Sequence, residues 1–521
     1  MDKKDYLVII VSIIMAVIGS FILYYATTLG PWTMVDTVDY FDVTRNLSHG
    51  YGLVITRPSG YDTPMTIHPP LYSIVLTLGL MLNIQLLEFA RLLNIFLFVV
   101  LILVLILGTY RHIHSIPLSL GLGFWVLTNH AIFKNYTAAL SEPLFLTLGF
   151  VSIYLIFEYI NTTKSWMLIV GALLAGLSLA TRYSGAAFLV AGFSSIFLFQ
   201  KTNWGKKTKD LLIYTLLSCG PILTWIAYLR INFPGSNPGG YERVENIWDV
   251  TTPFRLTYIK EFWNWLGLGL VSNDPNYRIQ LIIITILLLV LGIAIFLSAR
   301  VLFRETKSLS NDVILLGTAW SIFAIASTAI LLFSYVFVYA PKPWLDERLY
   351  SPIQMGTVIA ILIAIYYCSS KLISKPYQGI PVLVLVVLMS TASIPNVIHT
   401  MNKLHNNGEG YTSKFWNDQN FIDQLQTIPV DQTIITNDPG AIFFFLGQTS
   451  VDLIPIIEHT ETNVVPSIIQ SQGAYVVLFE KRMAYQIRER YGDGAEGYIQ
   501  KITSNLTVVY KGNIGTIYYV K

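Results

Sequence analysis

Four groups of polar residues interrupt a chain that is otherwise apolar, and each holds side chains able to do chemistry. The first runs Pro31-Trp-Thr-Met-Val-Asp36-Thr-Val-Asp39-Tyr40-Phe-Asp42 and closes beyond Gly50 and Gly52. Asp39 and Tyr40 lie three and four residues after Asp36, so on a helix the three share one face. The second is Ile67-His68-Pro69-Pro70-Leu71-Tyr72. Its two prolines set an extended entry into a helix, because proline is tolerated in a first turn. His68 stands just before them with a ring nitrogen for a ligand. The third is scattered: Arg91 with Asn94, Asn135 with Tyr136, Ser141 with Glu142, and Arg182 with Tyr183. The fourth is Trp344-Leu-Asp346-Glu347-Arg348-Leu-Tyr350-Ser-Pro352.

These residue types point to one kind of chemistry. A carboxylate deprotonates an acceptor hydroxyl. Guanidinium groups hold phosphate or pyrophosphate through paired hydrogen bonds. Plainer roles compete at every position. Asp36, Asp39 and Asp42 can cap a helix, Arg91 and Arg182 can snorkel, and Arg348 can pair with Asp346 or Glu347 as a structural bridge.

What must position these groups is a membrane protein. Of 521 residues, 54% are apolar and 12% charged, against about 25% charged in soluble domains. The mean hydropathy is +0.56. A soluble protein of this size would lack the charge to cover its surface. A net charge of +3 leaves no nucleic-acid footprint. Cys219 and Cys368 both lie in apolar runs and form no disulfide framework.

The first apolar stretch, about 6–27, is long enough to cross a hydrocarbon core about 30 Å thick. It reads as an uncleaved span rather than a signal peptide. Further spans fall near 89–110, 115–133, 140–160, 166–181, 184–200, 211–231, 279–299, 312–338, 349–369 and 380–397, about eleven in all. The segment 69–83 is apolar but short. Read as a helix in the outer interface, it leaves thirteen basic residues on one side: Lys3, Lys4, Arg111, Lys164, Lys201, Lys206, Lys207, Lys209, Arg300, Arg304, Lys307, Lys371 and Lys375. Four in short loops, Lys134, Arg182, Lys342 and Arg348, fall on the other. Cytoplasmic loops carry the Lys/Arg excess. The N-terminus is therefore expected in the cytoplasm of a multi-pass plasma-membrane protein, with all four polar groups outside.

The expected fold class is a polytopic α-helical membrane protein with a C-terminal extracytoplasmic α/β domain. Residues 1–399 form the membrane domain, with an outer first loop at 28–88, and 400–521 form the soluble domain. In the latter, QTIITN, VDLIP, AYVVLFE, LTVVY and TIYYV are β-rich runs. A helix pattern ends at Pro429, Asn437-Asp438-Pro439 opens a turn or helix, and Lys481–Tyr491 reads as a polar helix. The domain shows no glycine-rich phosphate loop, no metal-spaced Cys/His cluster and no Ser/His/Asp set.

The ordered motifs resemble those of the GT-C glycosyltransferase superfamily, in its protein O-mannosyltransferase and aminoarabinose transferase branch. They are Asp36-Thr-x-x-Tyr40, Asn46-Leu-x-x-Gly50-x-Gly52, Pro69-Pro70-Leu71-Tyr72, Arg91-x-x-Asn94, Ser141-Glu142-Pro143, Thr181-Arg182-Tyr183 and Arg348-Leu349-Tyr350-x-x-Pro352. The resemblance covers about 30–370. It implies transfer of a sugar from a polyprenyl-phosphate donor to a lipid, glycan or protein acceptor on the outer face of the membrane. It further implies Asp36 as catalytic base and Arg348 as a donor-phosphate ligand. Asp39, Tyr40, His68, Arg91, Glu142, Arg182, Tyr183 and Tyr350 join them as substrate-binding candidates. Many relatives carry a second acid after the first-loop aspartate; here that place is Thr37. No cofactor or metal ligand is assigned, although weak dependence on a divalent cation remains compatible. A transporter or flippase, and a non-catalytic glycan-binding scaffold, are the competing classes.

Overall fold

The computed structural model describes residues 2–56, 63–236, 310–337, 347–374, 377–416, 418–453, 473–480, 503–504 and 506–520, with 254, 257–258, 260–262 and 265. The chain divides into two compact units. One comprises Met1–Thr27, Thr66–Tyr72 and Phe89–Lys403; the other comprises Thr28–Met65, Ser73–Glu88 and Leu404–Lys521. The segment 28–88 thus groups largely with the C-terminal region by contact, a different criterion from the change of composition at about 400.

The first unit is helical, as its apolar runs require. Among the described residues, seven helices are long and apolar enough to cross a membrane. They are α1 (Lys3–Ala26), α4 (Leu86–Ile113), α7 (Glu142–Thr162), α10 (Trp204–Asn232), α11 (Ser310–Phe337), α12 (Glu347–Leu372) and α13 (Ile380–Asn407). The chain is an integral membrane protein. The expected span 115–133 is not straight. It consists of α5 (Ile116–Thr128) and α6 (His130–Tyr136), bent by 63°. Asn129 causes the break. Its backbone is extended, and its Oδ1 accepts the Ile132 N–H to cap α6. The expected spans 166–181 and 184–200 are the shorter helices α8 (Ser165–Thr181) and α9 (Ala186–Phe199), joined through an extended Arg182. The expected span 279–299 lies outside the described residues. Helix α3 (Leu71–Met81) has 11 residues. At 1.5 Å per residue it is about 16 Å long, too short to cross by itself.

Small residues let these helices approach closely, since apolar surface alone does not drive association in lipid. A Cβ at Gly176 on α8 would lie 2.5 Å from the Ser218 carbonyl oxygen on α10. A face of Met167, Leu168, Ala172 and Ala175 packs there with Tyr214.

In the second unit the expected β-rich runs all become strands: β3 (Ile434–Thr436), β4 (Val451–Asp452), β5 (Tyr475–Phe479), β6 (Thr507–Lys511) and β7 (Gly515–Tyr519). They form one mixed sheet in the order β4-β3-β5-β7-β6, parallel across β4-β3-β5 and antiparallel beyond. The expected helix before Pro429 is shorter, α14 (Gln419–Gln426), capped by Asp418. Asp438 caps α15 (Pro439–Leu446), as the Asn-Asp-Pro run indicates. The polar helix expected at Lys481–Tyr491 lies outside the described residues.

Helix α2 (Val35–Ser48) belongs to this unit. Val38 is fully buried in the core formed by Trp416, Phe421, Ile442, Phe479 and Ile517. Thr33 Oγ1 accepts the Tyr411 N–H at 2.8 Å. Arg45 lies over the Phe443 ring and donates to its carbonyl. Asp42 takes the Thr56 N–H and hydroxyl and the Asn46 amide. It thereby ties α2 to the short hairpin β1 (Val54–Ile55) and β2 (Thr63–Pro64). Gly410 holds the loop against Thr33. Its φ is +69°, and a Cβ there would sit 1.8 Å from the Thr33 oxygen. Gly410→Ala is therefore expected to destabilise this unit by about 2–5 kcal/mol, from left-handed strain and overpacking together. Thermal unfolding and proteolysis of the C-terminal region measure it; a melting curve identical to wild type contradicts the packing described.

Candidate active site

Two of the scattered sequence candidates, Glu142 and Arg182, meet Arg348 of the fourth group in the first unit. Glu142 opens α7, where a helix N-terminus favours an acid. Arg182 follows the last turn of α8, where a helix C-terminus favours a cation. Arg348 is the second residue of α12. One carboxylate oxygen, Glu142 Oε1, lies 2.9 Å from Arg182 Nη1 and 3.4 Å from Arg348 Nε. Arg182 Nη1 also donates to Ser141 Oγ at 3.1 Å. Glu142 is buried and both guanidiniums are largely so.

A narrow cavity of about 50 Å³ opens beside them, lined by His68, Glu142, Arg182, Tyr183, Arg348 and Pro352. It holds a few waters or one compact group. Two arginines and one glutamate line it, and guanidinium groups offer an anion paired, charge-assisted hydrogen bonds. Tyr183 donates its hydroxyl to the Thr66 carbonyl at 3.0 Å, which fixes the chain just before His68.

Arg348 thus faces Glu142, 206 positions away (348 − 142). Of the sequence-adjacent acids, Asp346 lies outside the described residues, and Glu347 pairs with His130 at 3.0 Å. The physical reason is helical geometry: successive residues project about 100° apart, so 347 and 348 cannot share a partner face.

Two other candidates of the first unit, Arg91 and Tyr350, have partners of their own. Arg91 donates from Nη2 to the Tyr24 carbonyl at 2.9 Å and from Nε to Thr27 Oγ1 at 3.1 Å, and stacks 4.1 Å from the Tyr24 ring centre. It pins the end of α1 and does not line the cavity. Tyr350 is fully buried in an aromatic cluster with Phe254, Phe262, Trp265 and Tyr335, and donates to the Phe254 carbonyl. It too is a packing residue. Asp36, Asp39 and Tyr40 belong to the second unit. Asp36 stands in the first turn of α2, half-buried beside Asp39, while Tyr40 is fully buried. Among the described residues, no group of three or more His, Cys, Asp or Glu side chains is placed to hold a metal ion.

His130 was not singled out by sequence reading. The signal was present: it is the one ionisable residue in the apolar run 115–133, and such residues are functional candidates by default. Its significance depends on the bend at Asn129, which directs it toward Glu347 and Thr400.

No protein-family profile matches the sequence, and no curated protein matches it in sequence. Solved structures do match in shape. ArnT from Cupriavidus metallidurans bound to undecaprenyl phosphate superposes with a TM-score of 0.53 at 12% identity, covering 99% of this chain and 98% of that one. The apo oligosaccharyltransferase from Archaeoglobus fulgidus gives 0.50 at 12% identity, over 98% of this chain and 74% of that one. Arabinofuranosyltransferase AftD from mycobacteria gives 0.52 at 12% identity, over 98% of this chain and 41% of that one. At these identities the likeness concerns architecture, and it extends over nearly the whole chain: this protein has the fold of the GT-C glycosyltransferases.

Proposed function

We propose that the protein is a membrane glycosyltransferase that uses a polyprenyl-phosphate sugar, with transfer on the outer face of the membrane. The observation that carries this reading is the Glu142–Arg182–Arg348 cluster beside an anion-sized cavity in a chain of GT-C fold. Arg348 and Arg182 hold the donor phosphate, and Glu142 sets their spacing. Asp36 accepts the proton of an acceptor hydroxyl as its oxygen bonds to the anomeric carbon. The bond from that carbon to the phosphate oxygen breaks, and its electron pair leaves with polyprenyl phosphate. Attack opposite the leaving group inverts the anomeric centre. The acceptor is a lipid, glycan or protein.

Purified protein incubated with a radiolabelled polyprenyl-phosphate sugar tests this directly. Release of polyprenyl phosphate with label in an acceptor supports transfer. Uptake of label into sealed vesicles without bond cleavage supports a flippase instead. Transporters place paired broken helices at the bilayer midplane; among the described residues one helix pair is sharply bent. Binding without either outcome supports a scaffold.

The orientation places the N-terminus in the cytoplasm of the plasma membrane and the C-terminal region outside. With Cys219 and Cys368 replaced by serine, an impermeant thiol reagent should label Asp431→Cys readily in sealed cells and Asn203→Cys only after lysis. Both positions are exposed, so equal labelling in sealed cells overturns the orientation.

A further inference from the structure

A second, larger cavity lies in the first unit and is unused by the chemistry above. It measures about 650 Å³ and is lined by Trp125, His130, Trp265, Glu347, Gln354 and Thr400, among others. That volume is typical of small-molecule sites. Helix α12 contributes to both cavities: Arg348 lines the small one, while Glu347 and Gln354 line the large one. The seven-position step from Glu347 to Gln354 makes about two turns, which returns them to one face.

Three observations define what this cavity takes. First, it is built and held. His130 bonds Glu347 Oε2 through Nδ1 at 3.0 Å and Thr400 Oγ1 through Nε2 at 2.9 Å. Its backbone N–H donates to Ser393 Oγ at 2.9 Å. Second, it keeps an acceptor in reserve. Gln354 is 2% exposed, inside a membrane-spanning helix, and its Oε1 accepts no hydrogen bond among the described residues. A buried acceptor without a donor carries its desolvation cost, which a hydroxyl delivered by a ligand would recover. Third, its lining differs from that of its neighbour. Among the described residues it holds Glu261, Glu347, His130 and His399 and no Lys or Arg, so it offers no guanidinium fork to a phosphate. Two indoles, Trp125 and Trp265, supply flat apolar walls.

From these we infer that the cavity binds a neutral carbohydrate, one or two sugar rings whose hydroxyls meet Gln354, Glu347 and Thr400. It deepens the glycosyltransferase reading, and rests on it, by naming a glycan as the acceptor class. The two cavities then keep the reactants apart on α12: the phosphate enters the one lined by Arg182 and Arg348, the uncharged sugar the one lined by Glu347, Gln354 and the two indoles.

The test is saturation-transfer NMR on the full chain in lipid nanodiscs. The probes are methyl glycosides of glucose, mannose, galactose and arabinose, their reducing disaccharides, and glucose 6-phosphate. At least one neutral probe should receive saturation. Gln354→Leu should weaken its binding about tenfold, the loss of one buried hydrogen bond, while Arg182→Lys leaves it unchanged. Thermal melting checks the fold of Gln354→Leu, and Thr400→Val serves if that variant does not fold. Absence of binding by every neutral probe overturns the inference. So does binding that survives both variants, or tighter binding of glucose 6-phosphate. The readout needs no turnover. Glycoside binding without any transfer leaves this site standing and removes the transferase reading; transfer without glycoside binding does the reverse.

Discussion

Asp36→Asn is expected to lower turnover by about 10²–10⁴ in a donor-saturated assay, the range for losing general-base help. The substitution keeps the size of the side chain and removes its proton acceptor. The fold should survive. Asp36 is a half-buried residue in the first turn of α2 and is not among the residues of the buried core that holds that helix, where Val38 packs instead. Thr37, buried next to it, is the wrong residue type to take over. Asp39→Asn, on the same face, should have a much smaller effect on kcat. Asp42→Asn should act through stability, because Asp42 anchors Thr56 and Asn46. If Asp36→Asn turns over near the wild-type rate while Asp39→Asn does not, the base has been misassigned to the wrong turn of α2.

Arg348 carries the second large effect. Arg348→Lys keeps the charge but loses the planar fork that can hold phosphate and Glu142 at once. It should raise the apparent donor KM by about 10–100-fold, corresponding to the 1.5–3 kcal/mol of a hydrogen bond to a charged group, with kcat less affected. Glu142→Gln separates this from a purely structural bridge. It leaves two largely buried guanidiniums without their carboxylate, and breaking a buried pair in this way costs about 3–5 kcal/mol. Its melting temperature should therefore fall much further than that of Arg348→Lys. A folded Arg348→Ala protein with unchanged donor affinity takes Arg348 out of the donor site. An Arg348→Lys protein that loses stability as severely as Glu142→Gln assigns the residue to the bridge alone.

Local signals made much of this molecule legible. Apolar runs of about twenty residues have few alternatives to a spanning helix. The five β-rich runs near the C-terminus became five strands because β-branched and aromatic residues alternate with turn residues there. Asp438 before Pro439 announced its helix cap. The residue types at Glu142, Arg182 and Arg348 were enough to suggest phosphate chemistry before any geometry was known.

Partnership was not legible, because it joins positions far apart in the chain. Arg348 meets Glu142 rather than its neighbour Glu347 because consecutive helical residues point about 100° apart. Arg91 and Tyr350 carry the same side-chain chemistry as Arg182 and Tyr183, yet packing turns one onto the end of α1 and the other into an aromatic core. Helix α2 joins the distant C-terminal sheet through Val38, a residue unremarkable in the sequence. The bend at Asn129 converts an ordinary apolar run into the wall of a cavity. Composition and periodicity decide which segments leave water. Which side chains then face one another depends on helix rotation and close packing, and those are set only when the whole chain is assembled.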